Sequence, residues 1–146
     1  MSEIADIAQA VVDALNAHVF SVSFTAQRDY TPTFELKDMR DLHVTVVARG
    51  VEMATASRAY AQNDWQVDVA VQKKIASPDA SGQIDALMAL VQDIAEHLRA
   101  VGTFGPGQWL RAENIPIYSP EHLNDMRQFT SVLTLTLRTV KACSRL

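Results

Sequence analysis

The stretch LHVTVVARGVEMATASRAYAQNDWQVDVAVQKKI, residues 42–75, decides how this chain is read. At its start Leu42, Val44 and Val46 alternate with His43, Thr45 and Val47. Near its end Trp65, Val67, Val69 and Val71 alternate with Gln66, Asp68, Ala70 and Gln72. A two-residue period sends one row of side chains to a core and the other to water, so both runs are expected to be strands. Between them Gly50 to Asn63 is mostly small and polar, with Met53 and Tyr60 as isolated large residues. Two strands that outrun their own core make a protruding arm, placed at approximately residues 48–66. An arm on a small domain is expected to touch another chain.

Working outward, Ile4, Ile7, Ala8, Val11, Val12 and Leu15 recur at helical spacing behind a potential N-cap at Ser2, and the helix is expected to end near Asn16. Phe20, Val22 and Phe24 alternate with Ser21, Ser23 and Thr25, the pattern of a half-buried strand. From Arg28 to Asp41 the composition is mixed: Pro32 interrupts any ladder, and Phe34 and Leu36 suit a short extended piece. After a loop from Ser77 to Gly82, an apolar stripe of Ile84, Leu87, Met88, Val91, Ile94, Ala95 and Leu98 marks the strongest helix, with Gly102 at the C-cap. Gly102 to Gly107 turns, Trp109 to Ile115 reads as a strand, and Pro116 and Pro120 bracket a second irregular stretch. Phe129, Ser131, Leu133, Leu135 and Leu137 then alternate with polar residues in the strongest strand of all. The expected fold class is α+β: one domain over residues 1–146, a mainly antiparallel sheet with two helices packed on one face, a long β-hairpin arm and a flexible tail at 141–146.

Composition narrows the function. The chain has 146 residues, 48% apolar and 21% charged, with a net charge of −4, which speaks against general affinity for nucleic acid. Cys143 is the lone thiol, so no internal disulfide and no cysteine-based zinc site is available. Glu3 and Asp6 stand where a signal peptide would be basic, and no apolar run approaches the ~20 residues of a membrane span. A soluble product of a reducing cytoplasm is expected.

The residues offer little chemistry. Histidines 18, 43, 97 and 122 have no metal-pair spacing, and Asp93 and Glu96, one helical turn apart, lack a third partner. Gly102, Gly105 and Gly107 follow a helix and lead into a strand, the reverse of a phosphate-binding loop. No serine has the flanking glycines of a nucleophile elbow, and Cys143 has no histidine beside it to activate the thiol. No catalytic residue, metal ligand or cofactor is expected. Surfaces remain: Arg49, Arg58, Lys73 and Lys74 fall on or beside the arm strands, opposite helices rich in acid. With Met53 and Tyr60 they form the candidate interface, in which a basic arm meets the acidic helix of another copy. Such head-to-tail contacts close into rings.

Several segments carry a resemblance. They are Ser57-Arg58 with Asp64 through Lys74, Ile84-Asp85-Ala86-Leu87, Pro116-Ile117-Tyr118-Ser119-Pro120-Glu121-His122-Leu123, and Arg127 through Leu135. Together they resemble small bacteriophage virion proteins, and the size and element order are similar to the tail terminators of long-tailed phages. That resemblance implies a ring, a hexamer in that family, which stops tail-tube growth and offers a docking face to the neck. The implied partners are further copies of the chain, the tail-tube protein and a neck or head-completion protein, with no membrane and no specific nucleic acid. The implied location is the virion, after synthesis in the host cytoplasm. The segments are packing and strand signatures, so no residue-level site transfers with them.

Other readings stay open at this stage. The chain suits another neck or tube-like structural protein, or a small ligand-binding or enzymatic domain whose pocket forms between the second helix and the sheet, with His43, Asp68, Trp109 and Tyr118 around it. A third possibility is phosphate contact through Arg49, Arg58, Lys73 and Lys74, which would weaken steeply with salt.

Overall fold

A computed structural model describes residues 2–30, 42–75 and 81–142. Three helices, α1 (Glu3–Asn16), α2 (Ser81–Val101) and α3 (Pro120–Met126), accompany six strands. The strands are β1 (Ala26–Asp29), β2 (His43–Thr55), β3 (Tyr60–Lys74), β4 (Thr103–Phe104), β5 (Gly107–Glu113) and β6 (Gln128–Ala142). They form one sheet in the order β1-β2-β3-β6-β5-β4, antiparallel except for the β1–β2 pair. The class is α+β, as the periodicities indicate.

The core sits where the alternating rows place it. Val44 and Val46 of β2, Val67, Val69 and Val71 of β3, and Phe129, Leu133, Leu135 and Leu137 of β6 are all buried on the helix side. Above them α1 buries Ile7, Ala8, Val11, Val12 and Leu15, and α2 buries Ile84, Leu87, Leu90, Val91, Ile94 and Leu98. Ser2 caps α1, its Oγ accepting from the Ala5 amide at 3.3 Å. Gly102 ends α2 at φ +74°, a left-handed backbone that suits glycine, and its N–H donates to the Leu98 carbonyl at 3.1 Å. Gly107 lets α1 settle on the sheet: a Cβ there would lie 3.1 Å from Ile7 Cδ1 and 3.2 Å from Leu137 Cβ.

Three sequence expectations need correction. First, Phe20 to Thr25 is irregular rather than a strand. Asn16 at the end of α1 accepts from the Ala26 amide at 2.8 Å and donates to the Ala26 carbonyl at 3.1 Å, so the ladder starts only at Ala26. The aromatic residues before it pack locally instead: Phe20 stacks on Phe24 at 5.3 Å and meets His97 edge-on at 5.6 Å. Second, the stretch after Pro120 is a helix. Ser119 Oγ accepts from the His122 amide, Pro120 opens the first turn, and Arg127 closes the helix in a left-handed conformation at φ 50°. Of its described side chains only Leu123 is buried, too few apolar positions to show a period. Third, Lys141 and Ala142 belong to β6 rather than to a flexible tail. Residues 143–146, with Cys143, lie outside the described residues, as do 31–41 and 76–80 with the expected extended piece at Phe34 and Leu36.

On the other side of the sheet, Gln72 of β3 is 1% exposed, yet among the described residues neither its amide oxygen nor its amide nitrogen has a hydrogen-bond partner. A buried, unmatched amide costs about 1–3 kcal/mol. Gln72→Met, similar in length and apolar, is therefore expected to raise the unfolding free energy by about 1 kcal/mol or more, measured by urea denaturation.

Candidate functional site

The arm is the continuation of β2 and β3 beyond the helices. β1 pairs with β2 only over Val44–Val47, so past Val47 the outer edge of β2 has no strand beside it among the described residues. From Ala48 to Tyr60 every residue is exposed. The strands do not stop at the polar interval between the two alternating runs. They pair through Thr55 and Ala61 and close in a tight tip, where the Ala56 and Ser57 amides both donate to the Tyr60 carbonyl at 3.1 and 3.2 Å. From Ala48 to Thr55 the strand spans about 25 Å.

A two-stranded ribbon of that length would be marginal alone. Here β6 runs beside β3 all the way out, pairing Trp65 with Leu137, Asn63 with Thr139 and Tyr60 with Ala142. The expected hairpin is thus a three-stranded extension. A register shift between Ala48 and Gly50 frees Arg49 from the ladder, and its guanidinium donates to Thr134 Oγ1 at 3.1 Å and lies 3.6 Å from the Asp68 carboxylate. On the helix side, Lys141 pairs with Glu3 at the start of α1 and Trp65 Nε1 donates to Thr139 Oγ1 at 3.0 Å. The Trp65 bond braces the base of the arm, and the Lys141 ion pair braces its helix side farther out, opposite Ala61.

The two faces of the arm differ. One carries Val51, Met53 and Thr55 next to Trp65, Asn63 and Ala61, continuing the core row outward; Met53 is 70% exposed. The other carries Glu52 and Ala54 next to Asp64 and Gln62, with Arg138 and Val140 of β6 beyond. On that face Arg138 donates to both Asp64 oxygens, at 2.8 and 3.1 Å. These hydrogen bonds hold the Asp64 carboxyl below the usual carboxylate range against the opposing effect of burial, helped by the charges of Arg138 and Arg111. A lowered native pKa means that the pair adds stability above about pH 4 and loses it as pH falls through the lowered value. The protection factors of the amides around Asp64, which correct for the intrinsic slowing of exchange in acid, are therefore expected to fall on acidification, and Asp64→Asn should flatten that response.

Of the interface candidates, Arg49, Met53, Arg58 and Tyr60 lie on the arm, with Arg58 and Tyr60 at the tip. Lys73 and Lys74 do not join them. They end β3 at the body, fourteen residues from Tyr60 and so about 46 Å away, where they pair with Phe129 and Gln128. The basic residues form no single patch, because a strand separates what sequence proximity groups together. The alternative pocket residues are equally scattered: Asp68 accepts from Thr134 Oγ1 on the face away from α2, Trp109 lines a groove beside α2, and the Tyr118 ring packs 5.9 Å from Phe129. His43, paired with Gln72, lies on the same side as Asp68. Among the described residues no three His, Cys, Asp or Glu side chains are placed to hold a metal ion, and no helix is long and apolar enough to cross a membrane.

Sequence reasoning placed a pocket between α2 and the sheet, and of its four residues only Trp109 lines the groove found there. It runs along the flank of α2, where Met88, Gln92 and Ala95 overhang β5 and β6, and opens a volume of about 530 Å³ that continues into another of about 400 Å³ beside Trp109. Its apolar floor includes Leu133, and the exposed Ile117 stands at its rim. Helical periodicity identifies the stripe that α2 buries, but not which flank lacks a neighbour.

No protein-family model matches the chain, and neither does any curated protein. Among solved structures, the fold is similar to that of a sheath/tube terminator of an extracellular contractile injection system (PVC), determined by cryo-electron microscopy in the extended state. The TM-score is 0.54 at 14% identity, over 99% of this chain and 58% of that one. The chain thus spans little more than half the length of the protein it matches, and what the two share is the fold.

Proposed function

We propose that this chain is a structural assembly protein of a tail-like particle, a terminator that closes into a ring, caps the tube and joins it to the next component. One observation carries the reading: a braced three-stranded extension has an open β2 edge and an exposed apolar row, and nothing among the described residues covers them. Such a surface invites aggregation unless a partner takes it. The terminator of similar fold supports the same role. In this reading the arm residues Arg49, Met53, Arg58 and Tyr60 meet a neighbouring copy, in a ring that is a hexamer. Lys73 and Lys74, at the body end of β3, face the tube or neck component. The role is structural rather than enzymatic, and the mature location is the assembled particle, a virion in the phage case.

Electron microscopy of particles assembled without this protein tests the role. Tubes of uncontrolled length, or tails lacking their attached head or cap, are expected; particles of normal length and attachment would refute it.

A further inference from the structure

Resting on that ring reading, we infer that the arm of one copy seats in the groove between α2 and β5 of the next, with Val51 and Met53 facing the groove and Arg58 meeting Asp85. The groove and the arm are two apolar surfaces that no described residue covers. Met88, Ala95, Trp109 and Leu133 line the first, while Val51 and Met53 project from the second. Within a chain they lie apart on the helix side of the sheet, the arm row beyond the core rows and the groove beside α2. One copy therefore offers what the next accepts, the heterologous arrangement that closes a ring.

Charge sets the direction. Along α2 the groove runs from Asp85 at one end to Arg99 at the other, fourteen residues or about 21 Å of helix. On the arm Arg58 stands at the tip, while Glu52 projects from the face opposite Val51 and Met53 and so away from the trough. Laid with its tip toward Asp85, the arm sets a cation beside an anion. Laid the other way, it sets Arg58 beside Arg99, and like charges suppress that orientation. The apolar row fills the trough between Asp85 and Arg99, where buried area supplies most of the association free energy.

Charge exchange tests this pairing. Arg58→Glu and Asp85→Arg are each expected to weaken self-association on the order of tenfold per interface, by sedimentation equilibrium, with secondary structure by circular dichroism unchanged. The double variant Arg58→Glu/Asp85→Arg is expected to recover the wild-type mass. A geometric readout stands beside it: in a Cys143→Ser background, chains carrying Met53→Cys and chains carrying Ala89→Cys are mixed and oxidised. Disulfide-linked dimers between the two variants, and not within either alone, are expected.

A wild-type ring whose double variant fails to recover, or whose Ala89→Cys thiol stays open to maleimide without linking to Met53→Cys, overturns the groove pairing and leaves the ring intact. A wild-type chain that remains monomeric at high concentration, with and without tube protein, overturns the ring itself.

Discussion

Replacing Met53–Asn63 with Asn-Gly, so that Glu52 joins its cross-strand partner Asp64, is expected to yield a folded monomer in place of the proposed ring. The substitute is a two-residue hairpin connection with the left-handed residues that such a turn needs. Every residue removed up to Tyr60 is exposed, and the core rows of β2, β3 and β6 lie inward of the cut. Folding should therefore survive, with a melting temperature within about 4 °C of the parent, the shift that about 1 kcal/mol produces in a domain of this size. Association should fail outright, because the cut takes the tip with Arg58 and Tyr60, the exposed Met53, and the outermost part of the open β2 edge. A shortened chain with the mass of the parent assembly would show that the subunits meet elsewhere.

The second large effect concerns the body. Leu135→Ala is expected to lower the unfolding free energy by about 2–5 kcal/mol, a large share of the 5–15 kcal/mol that holds a typical domain together. Leu135 is fully buried in β6, between Val67 of β3 and Ala112 of β5. Two strands and the helix layer above them fix its surroundings, so the cavity left by truncation cannot collapse. Urea denaturation gives the value directly, and a loss below about 1 kcal/mol would contradict the central placement of β6.

These two substitutions mark the division between what the residue order makes legible and what it does not. Long periodic segments declare themselves: the valines of β2 and β3, the leucines of β6 and the stripes of α1 and α2 each repeat often enough that one geometry alone buries them. Short elements have no such redundancy. Phe20, Val22 and Phe24 alternate like a strand, yet Asn16 occupies the hydrogen bonds of Ala26 and the aromatics turn to His97 instead. The helix at Pro120 offers only its capping residues, Ser119 and Pro120, as a signal.

The arm itself is visible in sequence, because two runs too long for their core must project somewhere. Its third strand is not, since nothing local to residues 139–142 reveals that β3 pairs with them out to Tyr60. The same limit explains Lys73 and Lys74. Fifteen residues separate Arg58 from Lys73 in sequence, and in an extended strand that separation becomes distance rather than proximity. The groove beside α2 depends on which flank of a helix is left without a neighbour, a property of tertiary placement alone.

The most direct measurement is the mass of the purified, intact chain in solution, by light scattering across a concentration series and again after addition of tail-tube protein. A ring predicts a discrete assembly near six times the mass of one chain, which holds over the series and binds tube ends. A single-chain mass at the highest concentration, unchanged by tube protein, would contradict the account.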